Sequence, residues 1–231
     1  FYYYLALPGL IYFIIFHYVP MAGALIAFKD ISPFDGLQGF FDAPWVGLKH
    51  FERFTSSVYF YDVIENTLII SGLKILFGFP APIIFALLLN EVLRMSLKRV
   101  MQTISYLPHF ISWVVTAGMI TALLATSGGL ITETINDFTG SSINFLGNKD
   151  YFVGILVTSH VWKTIGWSSI IYLAAMSSID PALYESARID GANRLQMAWH
   201  ITLPSIMFVI VIMFLLEIGN LLEAGFEQIL L

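Results

Sequence analysis

Tyr184-Glu185-Ser186-Ala187-Arg188-Ile189-Asp190-Gly191-Ala192, followed by Ile201-Thr202-Leu203-Pro204, is a charged, glycine-broken stretch set between two long apolar runs. Asp180-Pro181 opens a helix, because an Asp side chain accepts from orphan N–H groups and Pro fits the first turn. That helix runs to about Asp190, and Gly191 supplies the left-handed residue that ends it. A second short helix covers about Asn193 to Trp199, and Pro204 opens the next apolar run. Two short helices joined at a glycine make a compact knob of about residues 177–203. It reads as the place where a membrane protein meets something soluble, against the plainer reading of an ordinary connector.

The rest of the composition supports a membrane setting. The chain has 231 residues, of which 58% are hydrophobic and only 12% charged, with a mean hydropathy of +0.79. These values lie outside the range of a soluble domain. No cysteine is present, which excludes disulfides and thiolate or Cys-based metal chemistry. A formal net charge of −5 argues against a nucleic-acid partner. The first residues lack a basic segment followed by a small-residue cleavage site, so no signal peptide is expected.

A hydrocarbon core takes about 20 helical residues. Five stretches reach that length: Leu5–Phe28, Val63–Asn90, Ser105–Ala125, Tyr151–Met176 and Leu203–Leu222. Inside lipid each must be a helix, since every backbone polar group needs an internal partner. Pro20 and Pro80-Ala81-Pro82 are expected to kink their spans. Arg94, Lys98 and Arg99 follow the second run, and Arg188 and Arg194 lie in the knob, so that side is assigned to the cytoplasm. On the opposite side, Ser32-Pro33-Phe34-Asp35-Gly36 is a turn signal and Trp45–Phe54 an amphipathic, aromatic stretch. The latter suits either a headgroup anchor or a docking surface.

Ionisable groups inside a span are costly and so are candidates for function. His160, Lys163, Thr164 and Trp167 follow i, i+3, i+4, i+7 spacing and share one helical face. Glu217 and Asn220 share a face on the fifth run. Lys163 and Glu217 also admit a bland reading, an interhelical pair that fixes the bundle. Lys74, midway along the second run, has no partner identifiable from sequence, and His17 and His109 suit packing roles. No His/Asp cluster points to a metal. A phosphate-cradling Gly-x-x-x-x-Gly-Lys-Ser/Thr loop is absent, as are Gly-x-Ser-x-Gly and His-Glu-x-x-His. The chain is therefore expected to be no enzyme and to bind no cofactor of its own.

The order Glu-x-Ala-x-x-Asp-Gly-Ala at Glu185–Ala192 and the spacing to Ile201–Pro204 resemble the membrane permease subunits of binding-protein-dependent ABC importers and their coupling (EAA) loop. Further stretches carry the likeness: Trp45–Leu48, Phe79–Ile83, Leu88–Glu91, Ser105–Trp113, Ile179–Glu185 and Gly225–Ile229. Together they cover nearly the whole chain, and within the family they are most similar to the oligosaccharide branch, the LplB-type polysaccharide permeases. Ser186 stands where the family most often has Ala, one small residue for another.

The resemblance implies an all-α, polytopic transmembrane bundle of the type I importer kind, a single permease domain over residues 1–231. At least five spans are present and a sixth is expected beyond Leu231. It implies a multi-pass protein of the bacterial cytoplasmic membrane that forms the path for an oligosaccharide, acidic or neutral. The partners implied are a second permease subunit, an extracytoplasmic solute-binding protein and two ATPase subunits that hold ATP and Mg. Tyr184, Glu185, Ser186, Ala187, Asp190, Gly191 and Ala192 would couple to the ATPase. Aligned through the knob with maltose-type permeases, His160, Lys163, Thr164, Trp167, Glu217 and Asn220 fall at or beside a mid-membrane sugar site, with Trp167 placed to stack on a pyranose. A secondary transporter or channel for a small polar solute is the alternative, and no internal repeat points to it.

Overall fold

The computed structural model describes residues 2–32, 34, 36–140, 143–221, 225 and 228. Three sequence readings fall partly outside these residues: Pro33 and Asp35 of the expected turn, Leu222 at the end of the fifth run, and Phe226, Glu227 and Ile229 of the Gly225–Ile229 stretch. Among the described residues the backbone is helical with no strand, as expected; Lys29 and Trp45 make a lone antiparallel bridge. Contacts divide the chain into two compact units, Phe1–Ile64 and Glu65–Leu231.

In the first unit, α1 (Tyr2–Phe13) passes through a π-helical stretch, Ile14–Tyr18, into α2 (Val19–Met21) and a 3-10 stretch, Ala22–Phe28. Pro20 explains the widened turn. It has no N–H for the carbonyl four residues back and its ring crowds that carbonyl. The helix loosens instead, so that the Val19 N–H reaches Ile14 O. The expected kink at Pro20 is thus a π-helical widening. Tyr3–Phe28 is apolar all round and exposed along its length, which suits lipid as its solvent.

Two short helices follow, α3 (Gly36–Asp42) and α4 (Lys49–Thr55). Lys29 organises them: its ammonium donates to Phe40 O at 2.8 Å and Phe41 O at 3.2 Å, near the end of α3. Phe51 on α4 packs against Phe28, ring centroids 5.3 Å apart. Lys49 lies 2.7 Å from Asp30 and, through that hydrogen bond, holds the Asp30 carboxyl below its ordinary range.

α5 (Phe60–Gly78) and α6 (Pro80–Asn90) form one 31-residue helical run, so Pro80 and Pro82 do not interrupt it. Pro80 sits at the first position of α6, where a missing N–H costs little. The larger bends lie elsewhere. α7 (Met95–Phe110) and α8 (Trp113–Leu124) meet at 100°, so the stretch Ser105–Ala125, expected as one span, is broken in the middle. The reason is local: Pro108 sits in the last turn of α7, Ile111 and Ser112 are extended, and the Ser112 hydroxyl accepts from Val115 N to start a new helix.

α9 (Leu130–Thr139) leads to α10 (Lys149–Met176), the longest helix, at 28 residues about 42 Å. The knob follows as α11 (Pro181–Ile189) and α12 (Arg194–Met197), then a π-helical stretch, Ala198–Thr202, α13 (Leu203–Ser205) and α14 (Met207–Gly219). Pro204 repeats what Pro20 does. The Leu203 N–H reaches back five residues to Ala198 O. The run then bends by 67° at Ile206. Among the described residues two helices are long and apolar enough to cross a membrane, or four if each bent pair is one span.

The core of the second unit lies between α6 and α10, where Ile83, Ala86, Tyr172 and Met176 enclose Ile206. Val157 aside, the buried positions on α10 fall at Leu156, Ser159, Lys163, Gly166, Ser169, Tyr172 and Met176. Three to four residues separate each from the next, which makes a stripe along one side of the helix. Its polar members, Ser159, Lys163 and Ser169, lie between Leu156 at one end and Tyr172 and Met176 near the knob.

Candidate functional site

The middle of α10 borders a cavity of about 570 Å³. His160, Lys163, Thr164, Glu217 and Asn220 all line it, so α10 and α14 place five of the six expected path residues around one space. Lys74 and Ser71 from α5, His109 and Trp113 from the α7–α8 break, and Gln228 complete the polar part of the wall. Trp167 is not part of the lining. Its indole lies flat on the His109 imidazole, with ring centroids 4.7 Å apart and planes 2° from parallel.

Lys74 is 7% exposed and donates to Gln228 Oε1 at 2.6 Å. Gln228 in turn donates from Nε2 to Leu156 O at 2.7 Å and Ser159 Oγ at 2.8 Å. A single amide thereby joins α5 to α10, and its orientation follows: the NH₂ faces two acceptors and leaves the oxygen toward the ammonium. These partners lie 154 and about 70 residues apart in sequence, which is why Lys74 shows no partner there.

Lys163 is 6% exposed and aims along the α7–α8 break. Its ammonium donates to Pro108 O at 3.2 Å, His109 O at 3.4 Å and Ile111 O. It also lies 5.0 Å from the centre of the Trp113 ring. Two buried polar atoms beside the cavity, Ser71 Oγ and His109 Nδ1, have no hydrogen-bond partner among the described residues. Such atoms cost free energy unless something polar reaches them. Ser71 carries no signal in the sequence. It is one hydroxyl in an apolar run, and only the approach of α10 and α14 makes it part of a wall.

The knob is built from short-range contacts. Asp180 accepts from Ala182 N at 2.9 Å, and Asn193 with Gln196 forms a reciprocal capping box. Gly191 has φ +81°, the left-handed conformation expected of it. Glu185, Ser186, Asp190 and Gly191 are exposed, Ala187 and Ala192 half-buried. A groove of about 330 Å³ runs past Ala187, Asp190, Gly191, Ala192 and His200. Tyr184 turns inward, its hydroxyl 2.9 Å from Thr202 Oγ1, and so ties the knob to the π-helical stretch. Ile189, Leu195 and Trp199 are 86%, 68% and 63% exposed, an apolar fringe on a polar element. Arg194 meets Glu91 at 3.2 Å, which puts the knob at the same end of the unit as the basic loop after α6. Among the described residues no group of His, Asp or Glu could hold a metal ion.

Comparison with known proteins agrees with this architecture. The family model for the binding-protein-dependent transport system inner membrane component matches residues 78–227. The polygalacturonan/rhamnogalacturonan transport system permease protein YteP of Bacillus subtilis (strain 168) is 48% identical over 229 residues, 99% of this chain and 70% of the relative. Protein LplB of the same organism is 44% identical over 229 residues, 99% of this chain and 71% of the relative. A solved bacterial ABC transporter involved in the import of the acidic polysaccharide alginate superposes with a TM-score of 0.88 at 43% identity, covering 98% of this chain and 75% of that one. A second structure, the alginate transporter in complex with an alginate pentasaccharide-bound periplasmic protein, gives 0.87 at 43% identity, covering 98% and 74%. With the break, the cavity and the knob in place, the chain belongs to the binding-protein-dependent transport system inner membrane component family, the permease subunits of ABC importers.

Proposed function

We propose that this chain is one of two transmembrane subunits of an importer for acidic oligosaccharides, set in the bacterial cytoplasmic membrane. The observation that carries the substrate class is the charge of the cavity wall. Lys74 and Lys163 border it with His160, against the single described carboxylate of Glu217. In a low-dielectric wall two cations outweigh one anion, and a uronate carboxylate restores the balance. Sugar hydroxyls suit the rest: Ser71, Thr164, Asn220 and His109 offer donors and acceptors around a space large enough for a sugar residue or two. The relatives named for alginate and for polygalacturonan/rhamnogalacturonan transport support the same class.

The knob supplies the coupling. Its apolar fringe and exposed Glu185 and Asp190 suit a cleft on a cytoplasmic ATPase, and its local caps make it rigid enough to pass on a push. ATP and Mg would sit in two such partner subunits, and a solute-binding protein would deliver sugar from outside, with a homologous second permease closing the path. The chain itself carries no chemistry in this reading. The test is ATPase activity of the reconstituted complex with its binding protein, comparing acidic and neutral oligosaccharides of equal length. Stronger stimulation by the acidic series than by the neutral one is expected; a response confined to neutral sugars overturns the substrate class, and failure to co-purify with an ATPase overturns the importer reading.

A further inference from the structure

The last carbonyls of any helix lack intrahelical partners. At a helix end in water the solvent supplies them, but α7 ends inside a stretch apolar enough to span with α8, where an unmet carbonyl is expensive. The usual devices are missing there. No glycine follows Phe110, and Ile111 takes an extended conformation, φ −76° and ψ 133°, with its N–H on Pro108 O. Three acceptors of the break, Pro108 O among them, converge on one side chain. The ammonium of Lys163 has three protons, and the carbonyls of Pro108, His109 and Ile111 surround it. Its charge also complements the negative end of the α7 dipole.

The neighbours of Lys163 on α10 serve the same contact. One turn on, Gly166 lets the two helices touch: a Cβ there would overlap the Ser105 carbonyl. Trp167 lies flat on His109, the residue whose carbonyl Lys163 binds. On the far side of the break Trp113 receives the cation over its ring, while Thr116, 1% exposed, donates to Ser112 O at 3.0 Å. The face of α10 that the family resemblance assigns to sugar is therefore divided. His160 and Thr164 face the cavity, Lys163 borders it while gripping the end of α7, and Gly166 and Trp167 pack against that end.

We propose that Lys163 is a positioning residue: it clamps the α7–α8 break and so fixes His109 and Trp113, which flank the break and line the cavity, and it does not itself bind substrate. The proposal uses the cavity of the preceding reading but makes a different demand on it. A substrate contact would be lost for charged sugars alone; a clamp, whatever its charge adds to the field of the wall, is lost for neutral sugars as well.

The absence of cysteine from the chain allows a direct test. Ser96→Cys and Ser127→Cys place spin labels on either side of the break, both positions being exposed. Pulsed-EPR distances are measured on the assembled transporter, beside sugar-stimulated ATPase activity. In Lys163→Met the distance distribution broadens or shifts, and stimulation falls about tenfold or more with acidic and neutral oligosaccharides alike. Lys163→Arg, which keeps charge and several donors, restores both. If Lys163→Met fails to assemble, Lys163→Gln, which keeps N–H donors without charge, shows the same uniform loss at smaller size. An unchanged distance with a loss confined to acidic sugars, in either variant, overturns the proposal. The distance needs no sugar, so a transporter that ignores acidic oligosaccharides leaves that measurement standing.

Discussion

Gly166 at the break and Gly191 in the knob are both required to be glycine, for opposite reasons. A Cβ on Gly166 would overlap the Ser105 backbone, while the conformation of α10 there is ordinary helix. A Cβ on Gly191 would meet nothing within 4 Å, but φ is +81°. The first glycine answers to a helix sixty residues away, and the second only to its own chain direction. The same split runs through each region. Every cap of the knob joins residues two to five apart, whereas Lys163 reaches back 52 to 55 residues and Lys74 reaches Gln228 across 154. A transporter benefits from that division: a knob that keeps its shape by itself can be pushed as a rigid body, while a cavity held by distant contacts changes shape when its helices move.

The largest effect is expected at the break. Gly166→Ala forces α7 and α10 apart against backbone, which is less forgiving than a flexible side chain, and overpacking of this kind costs about 1–3 kcal/mol or more. Because the displaced contact also holds Lys163 and Trp167, the expected outcome is loss of assembled transporter, read as yield and melting temperature of the purified complex. A normal yield for Gly166→Ala would show that the helices separate freely, and would remove the contrast with Gly191.

At Gly191 the expected loss is smaller and chemically selective. Gly191→Val puts a β-branched residue in the left-handed region, at a cost of about 1–3 kcal/mol. Gly191→Asn is much milder, since Asn tolerates that region. The measurement is sugar-stimulated ATPase activity, with Asn close to wild type and Val strongly reduced. Equal damage from both would mean that the site lacks space after all. The same pair at Gly166 should show no difference, both failing.

How much was legible follows the same line. Asp180, Gly191, Asn193 and Pro204 announce the knob because capping and left-handed turns are local physics, and helical periodicity puts His160, Lys163 and Thr164 on one face and Glu217 and Asn220 on another, faces that the fold brings to one cavity. The break at Ile111-Ser112 was not legible as a bend, although Pro108 and the Ser112 cap were there to be read. Neither were the tasks of Lys163 and Trp167. Period 3.6 says which residues share a face, not which neighbour that face meets, and here part of it meets the end of α7. The partner of Lys74 was hidden for the same reason, since Gln228 lies at the other end of the chain.

The smallest effect is expected where the knob touches the rest of its unit through charge. Arg194 and Glu91 are 3.2 Å apart, with side chains 62% and 45% exposed. A pair so exposed contributes at most about 1 kcal/mol and is weakened further by salt. Tyr184 on Thr202 and the buried Met197 anchor the knob independently. Arg194→Ala, Glu91→Ala and the double variant should therefore lie within about 1 kcal/mol of wild type, with a coupling between them below that and fading at high salt. The cycle is measured as thermal stability of the complex at low and high ionic strength. A coupling well above 1 kcal/mol that survives salt would mean the knob leans on α6 for its position, and the contrast between a self-supporting knob and a cavity held at a distance would no longer hold.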